Sequence, residues 1–289
     1  MKKVRPGFMT PELSIVICSF KNPHLLGLCI DSIKKNVVNI DYELIVADGQ
    51  TGEETHDLMR EKFPDITFLS NKENLGFGEL VRQGLGAAKG EYFFVINVDI
   101  IIKDEAANIL LKYLKQNPDV GIVGPKLVNF DNSVQNSCFR FYSPLTIVYR
   151  RTILGRFGFA RKHLDCFLMK KEQEKGEPIE ADWIMGSAMM TSRQAVEKVG
   201  VMDKRFFMYF EDVDWCWRFW KKGYKVVYNP TAKVFHYHGK QSASENVLSS
   251  MLLNKYSRIH ISSAIKYFTK HFRQHNPRTG QKVLAENNN

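Results

Sequence analysis

Short apolar runs that stop abruptly at polar residues recur through the first half of the chain and restrict its fold more than any other feature. Leu13–Ser19 (LSIVICS), Tyr42–Ala47 (YELIVA) and Tyr92–Ile96 (YFFVI) each read as a buried strand, with Ile66–Leu69 and Val120–Val123 as shorter members of the series. Segments of helical spacing lie between them: Asn22–Lys35, with Leu25, Leu26, Cys29, Ile30 and Ile33 on one face, then Gly52–Lys62, Gly78–Ala88 and Asp104–Gln116. Strands alternating with helices at these intervals predict an α/β fold, a mostly parallel central sheet flanked by helices. A chain of 289 residues can hold one large domain of this kind or two small ones.

In such sheets ligands bind beyond the carboxyl ends of the strands. YELIVA ends on Asp48-Gly49, and YFFVI on Asn97-Val98-Asp99. One acid at a strand end is most simply a turn former, but two at the ends of different strands of one sheet point to a site. Gly84–Gly90 (GLGAAKG) superficially resembles a dinucleotide fingerprint, yet it precedes a strand instead of following one, which excludes a Rossmann dehydrogenase. No GxxxxGK[ST] occurs, which excludes a P-loop.

A second candidate lies at Phe206–Arg218 (FFMYFEDVDWCWR), where aromatic residues run into Glu211, Asp212 and Asp214. A carboxylate beside an aromatic wall is held partly out of water and can serve as a base. Glu211 falls at a helix N-cap, and Asp212 and Asp214 in the first turn, where the helix dipole favours them. The simpler reading is a capped helix packed through Phe210, Val213 and Trp217. Asp182–Thr191 (DWIMGSAMMT) is a strand or turn centred on Gly186-Ser187, small enough for a backbone to approach a ligand. Val234–Gly239 contains His236 and His238, on opposite faces if they share a strand, either as ordinary strand residues or with one as a metal ligand.

Charge organises the remainder. Phe139–Glu180 sets arginines among apolar residues, as a basic amphipathic surface would, and then runs into Lys170–Glu180, which reads as a mobile surface loop or lid. Val247–Arg273 is helical, with Ile261, Ala264, Ile265, Phe268 and Phe272 on one face. Such a helix either docks on the core or lies on an anionic membrane surface. Seven Lys or Arg and no acid between 246 and 285 contribute to a net charge of +10. That charge suits nucleic acid, acidic lipid or phosphate-bearing substrates, but no RNP-like, zinc-finger or helix-turn-helix signature accompanies it, so no nucleic-acid partner is expected. Five scattered cysteines without a CxxC pair argue against a disulfide framework or cysteine zinc site and fit a reducing cytoplasm. No apolar run is long enough to span a bilayer, and Met1–Thr10 lacks the apolar core of a secretory signal.

The shared order of SIVICSF, VADGQ, NKENLGFGELVRQG, VINVD, GPKL, DWIMGSAMM, FMYFEDVDWCWR and HYHGKQS resembles the inverting GT-A-fold glycosyltransferases of family 2, in the bacterial branch of rhamnosyl- and galactofuranosyltransferases. The resemblance runs from about Leu13 to Ser242. It implies a catalytic domain over 1–245, with 1–125 mainly nucleotide-binding and 126–245 mainly acceptor-binding, and a basic helical extension over 246–289.

The resemblance also implies roles. Ser19, Asp48, Asn74, Gly76, Asn97 and Asp99 would form the donor-nucleotide side, with Asp48 accepting from a pyrimidine imide N–H. Asn97-Val98-Asp99 would be the DxD-like motif, its first position departing from the usual acid, and Asp99 with His236 would hold Mn²⁺ or Mg²⁺. Asp212 would be the general base, Glu211 would orient the acceptor, Trp183 and Gly186 would line the acceptor side, and Asp214 would be structural through Arg218. The donor would be dTDP-rhamnose first and a UDP-sugar second. The acceptor would be a bacterial surface polysaccharide or its lipid-linked saccharide precursor, met on the cytoplasmic face of the plasma membrane. Peripheral membrane contact through the basic C-terminal helices and a homo-oligomer are both compatible with the pattern. The alternative is a GT-A fold that binds sugar or nucleotide without catalysis, for which Asn97 speaks.

Overall fold

The computed structural model describes residues 10–237 and 255–279. In chain order the strands are β1 (Leu13–Phe20), β2 (Tyr42–Gly49), β3 (Thr67–Ser70), β4 (Tyr92–Asn97), β5 (Ile100–Ile102), β6 (Val120–Val128), β7 (Cys138–Phe139), β8 (Ile179–Glu180), β9 (Trp183–Ile184), β10 (Ala188–Ser192) and β11 (Lys225–His236). The helices are α1 (Pro23–Asn36), α2 (Glu53–Lys62), α3 (Phe77–Ala87), α4 (Ala106–Gln116), α5 (Pro144–Arg151), α6 (Gly158–Phe167), α7 (Lys170–Gln173), α8 (Arg193–Val199), α9 (Glu211–Lys221) and α10 (Lys255–Lys270).

The central sheet runs β3-β2-β1-β4-β10-β6-β11-β5, with β8 on β11. From β3 to β4 every pairing is parallel, as the strand–helix alternation predicts. Beyond β4 the sheet is mixed. β10 is antiparallel to both β4 and β6, β11 is parallel to β6, and β5 and β8 are antiparallel to β11. The reversal at β10 positions the site. Because β10 runs against β4, Ala188 lies opposite Ile96, and the Gly186-Ser187 turn before β10 arrives at the carboxyl end of β4.

Side-chain alternation along the strands feeds two cores. Leu13, Ile15, Ile17, Phe94 and Ile96 pack with α1 and α4, and Val16, Cys18, Phe93 and Val95 with α3, α8 and α9. Asn22 starts α1 by accepting from Leu25 N at 3.1 Å, ahead of Pro23 in the first turn.

Three expectations need revision. Lys170–Glu180 is not a bare loop, since it forms α7 and β8, and Glu172 accepts from Arg140 at 2.6 Å. Glu211 is not the N-cap of α9. Phe210 holds that position in the left-handed region, as does Tyr209 before it, both at φ 68°. The described part of the C-terminal segment docks on the catalytic core through only part of the stripe read from the sequence, Ala264 and Phe268, together with Tyr267 beside it. Ser263, Ala264 and Tyr267 are the buried residues of α10. Ser263 Oγ donates to Met208 O at 2.8 Å, and Lys270 Nζ reaches Asp214 at 2.6 Å and Asp203 at 2.7 Å. Ile261 and Ile265 are left 40% and 61% exposed. Polar anchors join the apolar contact of Ala264, Tyr267 and Phe268 in setting the rotation of this helix, because fully buried Asp214 must be neutralised. The part of the tail helix expected over 247–254, and His238, lie outside the described residues. Among the described residues no helix is long and apolar enough to cross a membrane.

Candidate active site

The parallel half of the sheet supplies a line of buried polar atoms at its carboxyl edge. Ser19 and Asp48 are register partners at the ends of β1 and β2. Both are buried, and Ser19 Oγ and both carboxylate oxygens of Asp48 have no hydrogen-bond partner among the described residues. An ionisable side chain rarely stays fully buried without partners unless a ligand supplies them. Beside them, Gln50 N donates to Glu73 O at 3.0 Å and Thr51 N to Asn71 O at 2.7 Å, folding residues 71–76 over the end of β2. Asn74 Oδ1 accepts from Gly76 N at 3.0 Å. Gly76 has φ +81°, and a Cβ there would stand 2.0 Å from Phe207 O, so the position requires glycine.

From Asn97, the last residue of β4, the chain turns through Val98 and Asp99 into β5. Phe235, opposite Ile101 in β11, is followed by His236, and His236 Nε2 lies 3.4 Å from Asp99 Oδ2. Gln135 fixes the imidazole, with its Oε1 2.7 Å from His236 Nδ1 and its Nε2 donating to His236 O at 2.9 Å. With Nδ1 as the proton-bearing nitrogen, Nε2 turns its lone pair toward Asp99, whose buried Oδ1 has no partner among the described residues. A carboxylate and an imidazole held this way fit a divalent cation of the Mn²⁺ or Mg²⁺ class. They are two ligands only. Among the described residues no cluster of three or more His, Cys, Asp or Glu exists.

The Gly186-Ser187 turn joins this edge to the acidic helix. Asn97 N donates to Ser187 O at 2.9 Å, and Gly186 N donates to Asp212 Oδ2 at 3.0 Å. Asp212 Oδ1 accepts from Val213 N at 2.8 Å, so two backbone donors orient its carboxylate. A Cβ on Gly186 would lie 3.0 Å from Phe77 Cε1 and 3.3 Å from Asp212 Cβ, which explains the glycine. Burial pushes Asp212 up to about 6, against the downward pull of the two N–H groups. Glu211 is buried with Oε2 unpartnered among the described residues, and burial and the adjacent Asp212 charge push it well above the carboxylate range. Each carboxylate raises the cost of charging the other, so the two buried groups resist ionising together.

Asp214, in contrast, is committed to structure. Burial pushes it up, but the His271 hydrogen bond, Arg218 and Lys270 outweigh burial and hold it below the usual carboxylate range. Trp183 is buried, stacked on Phe139 at 4.2 Å, and its Nε1 donates to Arg140 O at 2.8 Å. The indole therefore supports Tyr142, 5.6 Å away, instead of offering a hydrogen bond to a ligand. Gln135 escapes sequence reasoning because it lies in an irregular loop with no periodic signal, paired with a histidine 101 residues away.

The family described as Glycosyl transferase family 2 matches residues 14–200, and the family described as Glycosyltransferase (GlcNAc) matches residues 119–288. The chain is 30% identical over 205 residues to the N-acetylglucosaminyl-diphospho-decaprenol L-rhamnosyltransferase of Mycobacterium tuberculosis, a match covering 67% of this chain and 66% of that protein. It is 24% identical over 214 residues to a low-salt glycan biosynthesis hexosyltransferase of Haloferax volcanii, covering 73% of this chain and 62% of that protein. The matched stretch thus spans just under two thirds of each relative. Among solved structures, a mannosyltransferase of Pyrobaculum calidifontis in complex with GDP-Man and Mn²⁺ is similar with a TM-score of 0.55 at 14% identity, over 96% of this chain and 80% of that chain. GalNAc-T7 with UDP, GalNAc and Mn²⁺ is similar with a TM-score of 0.58 at 14% identity, over 80% of this chain and 44% of that chain. These likenesses establish the GT-A fold.

Proposed function

The chain belongs to glycosyl transferase family 2, and from that premise we propose an inverting rhamnosyltransferase that uses dTDP-rhamnose, with a UDP-sugar as the second donor class. The acceptor is a hydroxyl of a lipid-linked saccharide precursor of a surface polysaccharide. The mycobacterial relative, named for an N-acetylglucosaminyl-diphospho-decaprenol acceptor, supports that choice. The reading rests above all on one arrangement: Gly186-Ser187 bonds to Asn97 on one side and to Asp212 on the other, putting a raised carboxylate beside the donor edge.

The residues divide the work by chemistry. Asp48 accepts from the imide N–H of uracil or thymine, an edge the two bases share, and Ser19, Asn74 and Gly76 border that pocket. Asn97 faces the ribose. Asp99 and His236 would hold Mn²⁺ or Mg²⁺, which when bound offsets the charge of the leaving nucleoside diphosphate. Asp212 takes the proton from the acceptor hydroxyl as its oxygen attacks the anomeric carbon, from the face opposite the leaving group. Gly186 N–H keeps that carboxylate pointed at the acceptor, and Glu211 confines the negative charge to it. The enzyme works peripherally on the cytoplasmic face of the membrane.

A thermal-shift panel of sugar nucleotides with Mn²⁺ or Mg²⁺ tests this. At large excess the cognate donor stabilises the chain by about 3 kcal/mol. A panel in which dTDP- and UDP-sugars give no shift while GDP-sugars do would refute the base-recognition role of Asp48.

A further inference from the structure

The part of the α10 stripe left out of the core contact, Ile261 and Ile265, shares a groove with α5. Between the two helices lies a cavity of about 510 Å³ lined by Ile147, Val148, Ile261, Ile265 and Phe268, with Arg151 also in its lining and no acidic residue there among the described residues. We propose that this groove holds the polyprenyl chain of the acceptor, with Arg150 and Arg151 against its diphosphate. The inference rests on the lipid-linked acceptor proposed above and adds the site that recognises the lipid.

Two observations choose the occupant. The first is continuity with the catalytic helix. His260, in the groove wall, contacts Tyr209 at 5.0 Å and Phe210 at 5.3 Å, and Phe210 immediately precedes Glu211-Asp212. Tyr142 packs on Phe210 at 4.9 Å and accepts from Arg150 Nη1 at 2.7 Å. An apolar chain in the groove therefore ends beside two arginines and then beside the base, in the order lipid, diphosphate and sugar hydroxyl.

The second is charge. Burial, then Arg151 and Arg150, push His260 down to about 4, so at neutral pH it is an uncharged ring and the cations are the two arginines. Near the groove mouth the charged and titratable neighbours are Arg150, Arg151, Tyr142, Tyr209 and Tyr256, with Glu211 and Asp212 behind them. A guanidinium pair suits a diphosphate. The volume falls within the range of ligand pockets, and its concavity fits a chain better than a flat bilayer surface.

The test compares two acceptors and one photoprobe on the full chain. Val148→Ser with Ile265→Ser replaces exposed lining residues, so folding is preserved and is checked by the melting temperature. In the wild type, KM for N-acetylglucosaminyl-diphospho-decaprenol is at least about tenfold below that for its geranyl counterpart. In the double variant this ratio falls toward one, the loss expected when two apolar side chains no longer cover the lipid. A ratio that the variant leaves unchanged overturns the proposal. A diazirine-bearing decaprenyl diphosphate is expected to label residues 144–152 and 257–269 and to be displaced by unlabelled decaprenyl diphosphate. Labelling elsewhere, or equal displacement by phosphatidylglycerol vesicles, overturns it and assigns the surface to the membrane. Specific labelling without transfer to either acceptor keeps the groove and sinks the acceptor reading, so the two failures are distinguishable.

Discussion

Replacing Asp212 with Asn separates the reaction from the stability of the fold. The carboxylate is raised from 3.8 to about 6 in the folded chain, chiefly by burial. At 1.36 kcal/mol per unit, keeping it ionised at neutral pH costs the fold roughly 2–3 kcal/mol, the lower figure allowing for solvent at its outer edge. The Asn side chain has one acceptor oxygen, so either Gly186 N–H or Val213 N–H loses its partner, at about 1 kcal/mol. Asp212→Asn is therefore expected to be about 1–2 kcal/mol more stable than the wild type near pH 8.

The pH dependence has a definite sign. With its folded pKa above its unfolded value, Asp212 lets the native state hold a proton that the unfolded chain releases. Wild-type stability consequently falls as pH rises from about 4 to about 6, and the advantage of the variant develops over that window; below it, with both side chains neutral, the lost N–H partner leaves the variant the less stable by about 1 kcal/mol. Urea unfolding at several pH values reads this directly, alongside a sugar-transfer assay in which the variant loses roughly 10²–10⁴-fold. A variant that is less stable at pH 8, or one that turns over normally, would refute the argument that this carboxylate is a strained base.

Gln135→Leu removes the partner of His236 Nδ1 and is expected to weaken Mn²⁺ dependence of donor binding roughly 10–100-fold, with little effect on nucleotide affinity in EDTA. Calorimetric titrations with and without metal would show an unchanged metal requirement if His236 is a bystander. Asp48→Ala is expected to weaken dTDP and UDP binding roughly 10–100-fold, the worth of a hydrogen bond to a buried charge, and equal affinity for mutant and wild type would remove the base contact. Asp214→Ala strands Arg218, Lys270 and His271 and should destabilise the fold by about 3–5 kcal/mol. A shift below 1 kcal/mol in chemical denaturation would show that α10 is held by packing alone.

The parallel half of the fold was legible because β1, β2 and β4 each contain an apolar run, buried on both faces, that stops at polar residues on the carboxyl edge. The reversal at β10 was not, because strand direction is set by tertiary pairing with β4 and β6 and leaves no mark on MMT or its neighbours. The acids at 48, 99 and 212 stood out by position in the sequence. The Gly186-Ser187 turn stood out as well, for close backbone approach, though its bond to Asp212 did not, and Gln135 went unseen because it acts through a bond between distant segments that no local pattern announces. α10 was read as amphipathic correctly, and Ala264 and Phe268 of its stripe do dock, but the ion pairs to Asp203 and Asp214 that share the contact leave Ile261 and Ile265 outside it. Glu211 was displaced from the N-cap by two aromatic residues in the left-handed region, a conformation that sequence propensity disfavours and that tends to occur at functional sites.

The anomeric configuration of the product tests the central claim most directly. The purified chain, given dTDP-rhamnose, Mn²⁺ and N-acetylglucosaminyl-diphospho-decaprenol, should form a rhamnoside whose anomeric NMR coupling shows the configuration opposite to that of the donor, and EDTA should abolish its formation. Retained configuration, or transfer undiminished by EDTA, would contradict the account.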